Sequence, residues 1–188
     1  ERATYIERAR GGLERLGRIL TAMSEAARLE ESIHTTSNAR LDLALLLNNL
    51  VTAYKDVYPE HRFALESADS ADIEGSADLV VQALDKLVAN AVSFAPDGSV
   101  ITVSLTRRAE KWRLAISNQG PRLPDALRSK LFEPMVSVRE ERSGEAVHLG
   151  LGLHIVRLVA DALGGTAGAA NLPDDSGVTV YLDLPALA

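Results

Sequence analysis

Nine residues, HLGLGLHIV from His148 to Val156, set two glycines around one leucine directly before an amphipathic run. A helix start leaves its first N–H groups unpaired and carries about half a positive charge, so it attracts anions wherever side chains leave the approach open. Gly150 and Gly152 would let the amides of Leu151, Gly152 and Leu153 close on phosphate oxygens, while Leu153, Ile155, Val156 and Val159 anchor the helix. Taken alone, the stretch fits equally a glycine turn that caps nothing. It is not a Walker loop, which would need GxxxxGKS or GxxxxGKT, nor a dinucleotide fingerprint, which would need a third glycine and a preceding strand. A second group lies in ADLVVQALDKLVANAVSF, Ala77 to Phe94. On a helical wheel Val80, Leu84, Leu87, Val88 and Ala91 form a buried stripe with Asn90 at its edge, and Gln82, Lys86 and Asn90 share one ridge. An amide so placed can take Mg²⁺ carried on phosphates, or can hydrogen-bond backbone as a boundary asparagine. Asp85 projects more than a third of a turn away and reads as solvated.

The elements that would position these groups follow from periodicity. Ile6, Ala9, Leu13, Leu16, Leu20, Met23 and Ala27 alternate spacings of three and four, which predicts one long helix over about residues 3–33 with a coiled-coil or bundle seam. Such a helix cannot bury its own stripe; its partners lie in another chain or segment, or it folds onto the following domain. The polar stretch HTTSNAR, residues 34–40, reads as a linker, and a domain begins near Leu41. Helices are expected at Leu43–Val57, Ala77–Phe94 and Gly152–Leu163, with a short one near Asp125–Leu131. Strands are expected at Arg62–Glu66, Ser99–Arg107, Lys111–Asn118, Thr166–Asn171 and Gly177–Leu184. Helices and antiparallel strands without strict alternation favour an α+β sandwich with helices on one sheet face.

Composition narrows the function classes. The 188 residues are 46% hydrophobic, enough for one domain with a sizeable core plus one extra element. With no cysteine there is no disulfide framework and no thiolate zinc site, so any metal must be held by oxygen or histidine. A formal charge of −6, with no basic cluster longer than Arg107-Arg108, argues against a nucleic-acid partner. No apolar run reaches the roughly 18 residues of a membrane span, and the charged start ERATYIERAR lacks the apolar core of a signal peptide, so no membrane contact is expected of these residues.

In order, the chain shows QALDKLVANAV (residues 82–92), ISNQGPRLP (116–124), LFEPM (131–135), GLGLHIV (150–156) and GVTVYLDLP (177–185). This series resembles the asparagine, glycine-rich and phenylalanine boxes of the catalytic ATP-binding domain of sensor histidine kinases, in the GHKL superfamily, over roughly residues 41–185. The first helix resembles the second helix of the dimerisation and phosphoacceptor hairpin of the same kinases. The stretches LFEPMVSVRE and HLGLGLHIVRLVADALGG also resemble kinases of proteobacterial dedicated sortase systems. The resemblance implies a two-layer sandwich of helices on a mixed, mostly antiparallel sheet. It implies an ATP site formed by Asn90, Asn118, Gly120, Leu123, Gly150, Leu151, Gly152 and Leu153, with Asn90 as the Mg²⁺ ligand and residues 119–149 containing the ATP lid. Arg139, Arg142 and His148 would compensate or touch phosphate charge.

The implied activity is transfer of the γ-phosphoryl group of ATP to a histidine on a preceding helix, within a longer protein. No stretch like the family's HELRTPL occurs here, and His34 and His61 lie in the linker and at a strand start. The implied partners are a second copy through the first helix and a cognate response regulator, at a cytoplasmic location below a membrane-anchored bacterial sensor. Four departures stand out. Asn118 replaces the adenine-reading aspartate, Arg122 the box's second glycine, Lys86 the first asparagine of its box, and Val178 a frequent threonine. An asparagine that can rotate its amide leads to an expectation of looser discrimination against guanine. The same departures motivate an alternative, a nucleotide-binding regulatory module without phosphotransfer. A water-using ATPase is disfavoured, because Lys86 stands where those enzymes carry their catalytic glutamate.

Overall fold

A computed structural model describes residues 2–35, 37–134 and 150–187. Helix α1 spans Arg2–Thr35, and β1 (Ala39–Asp42) follows, so residues 39 and 40, read from sequence as linker, are extended and paired. Next come α2 (Leu43–Val57), β2 (Arg62–Ser67), β3 (Asp72–Gly75), α3 (Ala77–Phe94), the hairpin β4 (Val100–Arg108) and β5 (Lys111–Gln119), α4 (Gly152–Ala162), β6 (Thr166–Asn171) and β7 (Gly177–Pro185). The helix expected near Asp125–Leu131 is instead a single 3-10 turn, Asp125–Leu127, followed by irregular turns. Seven residues are too few to sustain a helix by themselves, and burial of Leu131 and Phe132 anchors the segment without one.

The main sheet has the order β2-β4-β5-β7-β6, antiparallel except for the parallel pair β2 and β4. A parallel pair needs a long crossover, which β3 and α3 supply. Strands β1 and β3 form a separate antiparallel ribbon. Helices α2, α3 and α4 cover one face of the sheet, where Ile101, Val103 and Leu105 of β4, Leu114 and Ile116 of β5, and Val180, Leu182 and Leu184 of β7 are buried. The α3 stripe of Val80, Leu84, Leu87, Val88 and Ala91 lies against them, as its spacing predicts.

Local chemistry fixes the helix ends. Asp42 Oδ1 accepts from the amides of Ala44 at 2.9 Å and Ala71 at 3.1 Å, capping α2 and tying it to the chain before β3. Asp85 is exposed, as expected, and it also accepts a hydrogen bond from the Tyr54 hydroxyl at 2.7 Å, because the phenol reaches it from the buried face of α2. Burial, then the Asp85 carboxylate, push the Tyr54 pKa far above its ordinary value.

Helix α1 carries two apolar faces. Leu29 is buried, with Ala26 and Ile33 half-buried beside it, so this end of the helix docks on the domain, in contact with α4. The seam is a different face: Ile6, Leu13, Leu16, Leu20 and Met23 remain 52 to 70% exposed. Among the described residues no helix is long and apolar enough to cross a membrane.

Candidate functional site

Helix α3 organises the site. Its last residue, Phe94, meets the end of β5: a Cβ on Gly120 would stand 2.7 Å from the Phe94 carbonyl oxygen. Its middle meets the start of α4: a Cβ on Gly152 would lie 4.0 Å from the Lys86 Cβ. Asn90 sits one turn after Lys86 on the same ridge, between these two junctions. The ridge of α3 and the glycine turn are therefore neighbours in the fold.

At the sheet end, Asn118 continues the phase of Trp112, Leu114 and Ile116 and so faces the helices, 94% buried by its 6% relative exposure. Its Nδ2 donates to the carbonyl of Gln119 at 2.7 Å, which leaves the amide oxygen as its free acceptor among the described residues. Gly120 has a φ of 149°, and its amide donates to the Ser176 carbonyl at 3.0 Å, so the chain leaves β5 in a conformation and a space that only glycine fits. Leu123 is buried at the following turn. The Asn171 side chain clasps it, accepting from the Leu123 amide at 2.8 Å and donating to the Leu123 carbonyl at 3.1 Å.

Sequence reasoning missed Asn171. A polar residue closing an otherwise small and apolar strand, TAGAAN, was the available signal. Arg122, in place of a glycine, sets its guanidinium 3.4 Å from the Asp175 carboxylate and is more than half exposed. Val178 is half-buried opposite Asn118 in the strand register.

At the helix end, Gly150 adopts a φ of 66° and Leu151 precedes the first turn of α4, which has no side-chain cap and no acidic residue. Among the described residues nothing compensates the positive end of such a start. Leu151 is buried and Leu153 half-buried, so the turn is held from beneath by its leucines. His154 satisfies its Nδ1 on the Phe132 carbonyl at 3.3 Å. Arg139, Arg142 and His148 lie outside the described residues.

The donor set bears on metal binding. Among the described residues no group of three or more His, Cys, Asp or Glu could hold a metal ion. The Asn90 side-chain amide, half-buried, has no hydrogen-bond partner among them. One neutral oxygen is too little for a protein-built cation cage but fits Mg²⁺ that arrives with phosphates supplying its charge.

With that geometry in place, three comparisons bear on the family. The model of the histidine kinase-, DNA gyrase B- and HSP90-like ATPases matches residues 75–188. The chain belongs to this family, as an ATP-binding catalytic domain of the sensor histidine kinase kind. It is 29% identical over 175 residues to the sensor protein IrlS of Burkholderia pseudomallei, covering 93% of this chain and 38% of IrlS. Among solved structures it is similar to the ATP-binding domain of PrrB from Mycobacterium tuberculosis, with a TM-score of 0.66 and 25% identity, covering 81% of this chain and all of that one (100%). It also shares the fold of the histidine kinase ThkA crystallised with the response regulator TrrA, with a TM-score of 0.72 and 21% identity, covering 93% of this chain and 49% of that one. The chain spans 38 to 42% of the length of the first curated relatives it matches.

Proposed function

We propose that this chain binds ATP with Mg²⁺ and acts as the catalytic part of a two-component sensor kinase, presenting the γ-phosphoryl group to a histidine outside it. The observation that carries this reading is Gly152. A Cβ there would meet nothing closer than 4.0 Å among the described residues, so packing against them does not require glycine at this position. A glycine that packing leaves optional, at an uncapped helix start, is explained by a ligand that approaches the backbone closely. Leu151, Gly152 and Leu153 would hold phosphate oxygens through their amides, and Asn118 would accept from the adenine amino group beside Gly120 and Leu123. Asn90 would hold Mg²⁺, whose chemistry here is to neutralise charge on the bridging phosphates. Arg139, Arg142 and His148 are retained in this reading as phosphate-side groups. The chain itself contributes positioning: it fixes the nucleotide so that the attacking histidine nitrogen and the leaving phosphate oxygen stand in line.

Further parts of the reading are a homodimer through the exposed α1 seam, a response regulator as the receiver of the phosphoryl group, and a cytoplasmic location. A second reading, a nucleotide-binding module that transfers nothing, is favoured by Lys86, whose ammonium is engaged by a carboxylate and not left free.

Thermal unfolding with and without millimolar Mg-ATP tests binding. At a hundred times the dissociation constant the ligand adds about 2.7 kcal/mol, and Gly152→Val removes that shift while leaving the far-UV circular dichroism unchanged. No shift in the natural chain would defeat both readings. The chain alone gives no acid-labile label from γ-labelled ATP, whereas a supplied phosphoacceptor helix restores labelling under the first reading and not under the second.

A further inference from the structure

Lys86 donates to Glu25 Oε2 at 2.8 Å, linking α3 to α1. The pair stands at a cavity of about 420 Å³ between α1, α3 and α4, lined also by Arg28, Leu29, Asp85 and Ile155. The base of the same lysine lies at the first turn of α4, 4.0 Å from the point where a Gly152 side chain would begin. One flexible four-carbon stem thus roots between two anion positions: the Glu25 carboxylate on α1, and the uncapped start of α4.

We propose that Lys86 is a ligand of the terminal phosphates of the bound nucleotide, and that Glu25 holds its ammonium in the nucleotide-free state, so that α1 docking and triphosphate binding compete for one cation. The proposal rests on the reading of Gly150 to Leu153 as a phosphate cradle. Two observations and one general argument support it. Lys86 and Asn90 lie one turn apart on one ridge, so a phosphate beside the Asn90 amide lies within about one helical turn of the lysine's base. The Lys86 and Glu25 side chains are 35% and 48% exposed, the regime in which an ion pair is weak and easily exchanged. A doubly charged phosphate oxygen group at a helix start is a stronger partner for ammonium than one solvated carboxylate. Of the other charged groups at the cavity, Asp85 is already engaged by Tyr54, and Arg28 is carried on α1 and leaves with it.

Calorimetry on the full chain at fixed Mg²⁺, with ADP and a non-hydrolysable ATP analogue, reads the competition directly. Lys86→Met weakens the triphosphate analogue by about tenfold or more, as loss of a charge-assisted hydrogen bond does, and weakens ADP less. Lys86→Arg, which keeps the charge, retains most of the affinity and separates charge from packing. Glu25→Gln tightens the triphosphate by about two- to fivefold, the scale of an exposed ion pair, and this gain disappears in the Lys86→Met background. If the natural chain binds neither nucleotide, the cradle reading fails and takes the proposal with it. If it binds but Lys86→Met binds equally well, or if the Glu25→Gln gain survives without Lys86, the proposal alone fails.

Discussion

The hydroxyl of Tyr54 donates to Asp85 at 2.7 Å, so the buried face of α2 is fastened to the exposed rim of α3 one residue from Lys86. Tyr54→Phe keeps the ring packing and loses this bond, at a cost of about 1 to 3 kcal/mol in urea unfolding near neutral pH. The phenol carries a pKa raised by burial and by Asp85, so above its ordinary value of 10.0 the unfolded chain gives up a proton that the folded chain keeps. Stability from this group is complete below that value and declines as pH rises beyond it. The gap between the natural chain and Tyr54→Phe therefore narrows from about pH 9 to about pH 11, by at most about 1.4 kcal/mol per unit. A constant gap would show that the hydroxyl is not held in its protonated form.

Gly120 and Gly152 contrast a glycine that its surroundings require with one that the described neighbours leave room to replace. Gly120→Ala places a methyl against the Phe94 carbonyl at a backbone angle alanine resists, and unfolding should show a loss of about 2 kcal/mol or more. Gly152→Val should stay within about 0.5 kcal/mol of the natural chain without nucleotide. Equal losses at the two positions would remove the argument that Gly152 serves a ligand.

Asn118 ties its donor to the Gln119 carbonyl, which changes the expectation drawn from its side chain alone. Turning the amide to greet guanine would break that bond and set an oxygen against a carbonyl, so discrimination in favour of ATP over GTP should be kept. Asn118→Asp should not widen the ATP over GTP ratio in calorimetry, and it should destabilise the chain by about 1 to 3 kcal/mol through the lost donor. A ratio widened tenfold would mean that the amide is free to rotate.

The seam of α1 and its docking face can be tested apart. Truncation before Ala39 removes both, including buried Leu29. Leu13→Glu with Leu20→Glu charges only the exposed stripe, where these residues are 70% and 66% accessible. Light scattering should show the natural chain self-associating with concentration and the double variant monomeric, with unchanged thermal stability of the domain. Equal masses at all concentrations would leave the seam without a partner of its own kind.

What the sequence revealed follows from the range of each interaction. Helices α2, α3 and α4 and the β4–β5 hairpin were legible, because their apolar residues repeat within a few positions. Gly152 was singled out as a small residue at the start of an amphipathic run, and Asn118 through the resemblance of ISNQGPRLP to a family box. The β1–β3 ribbon was not, since four residues such as DIEG alternate too briefly to stand out among turn formers. The parallel pairing of β2 with β4 was hidden because it depends on the crossover path and not on either strand's composition. The clasp of Asn171 on Leu123 joins residues 48 apart, and the Glu25–Lys86 bridge residues 61 apart; no local pattern encodes either.

Among the described residues α1 is gripped near its end, around Ala26, Leu29 and Ile33, so the stretch before that grip is a lever. At 1.5 Å per residue the stretch before residue 25 is an arm of about 35 Å. A tilt of about 10° at the grip, small enough for side chains to follow without repacking, swings the far end through about 6 Å. Run in reverse, a displacement of several ångströms imposed at the far end arrives at Glu25 and Lys86 as a movement of an ångström or so, and with the advantage of force on the side of the load. That is the scale on which a 2.8 Å ion pair is either made or broken.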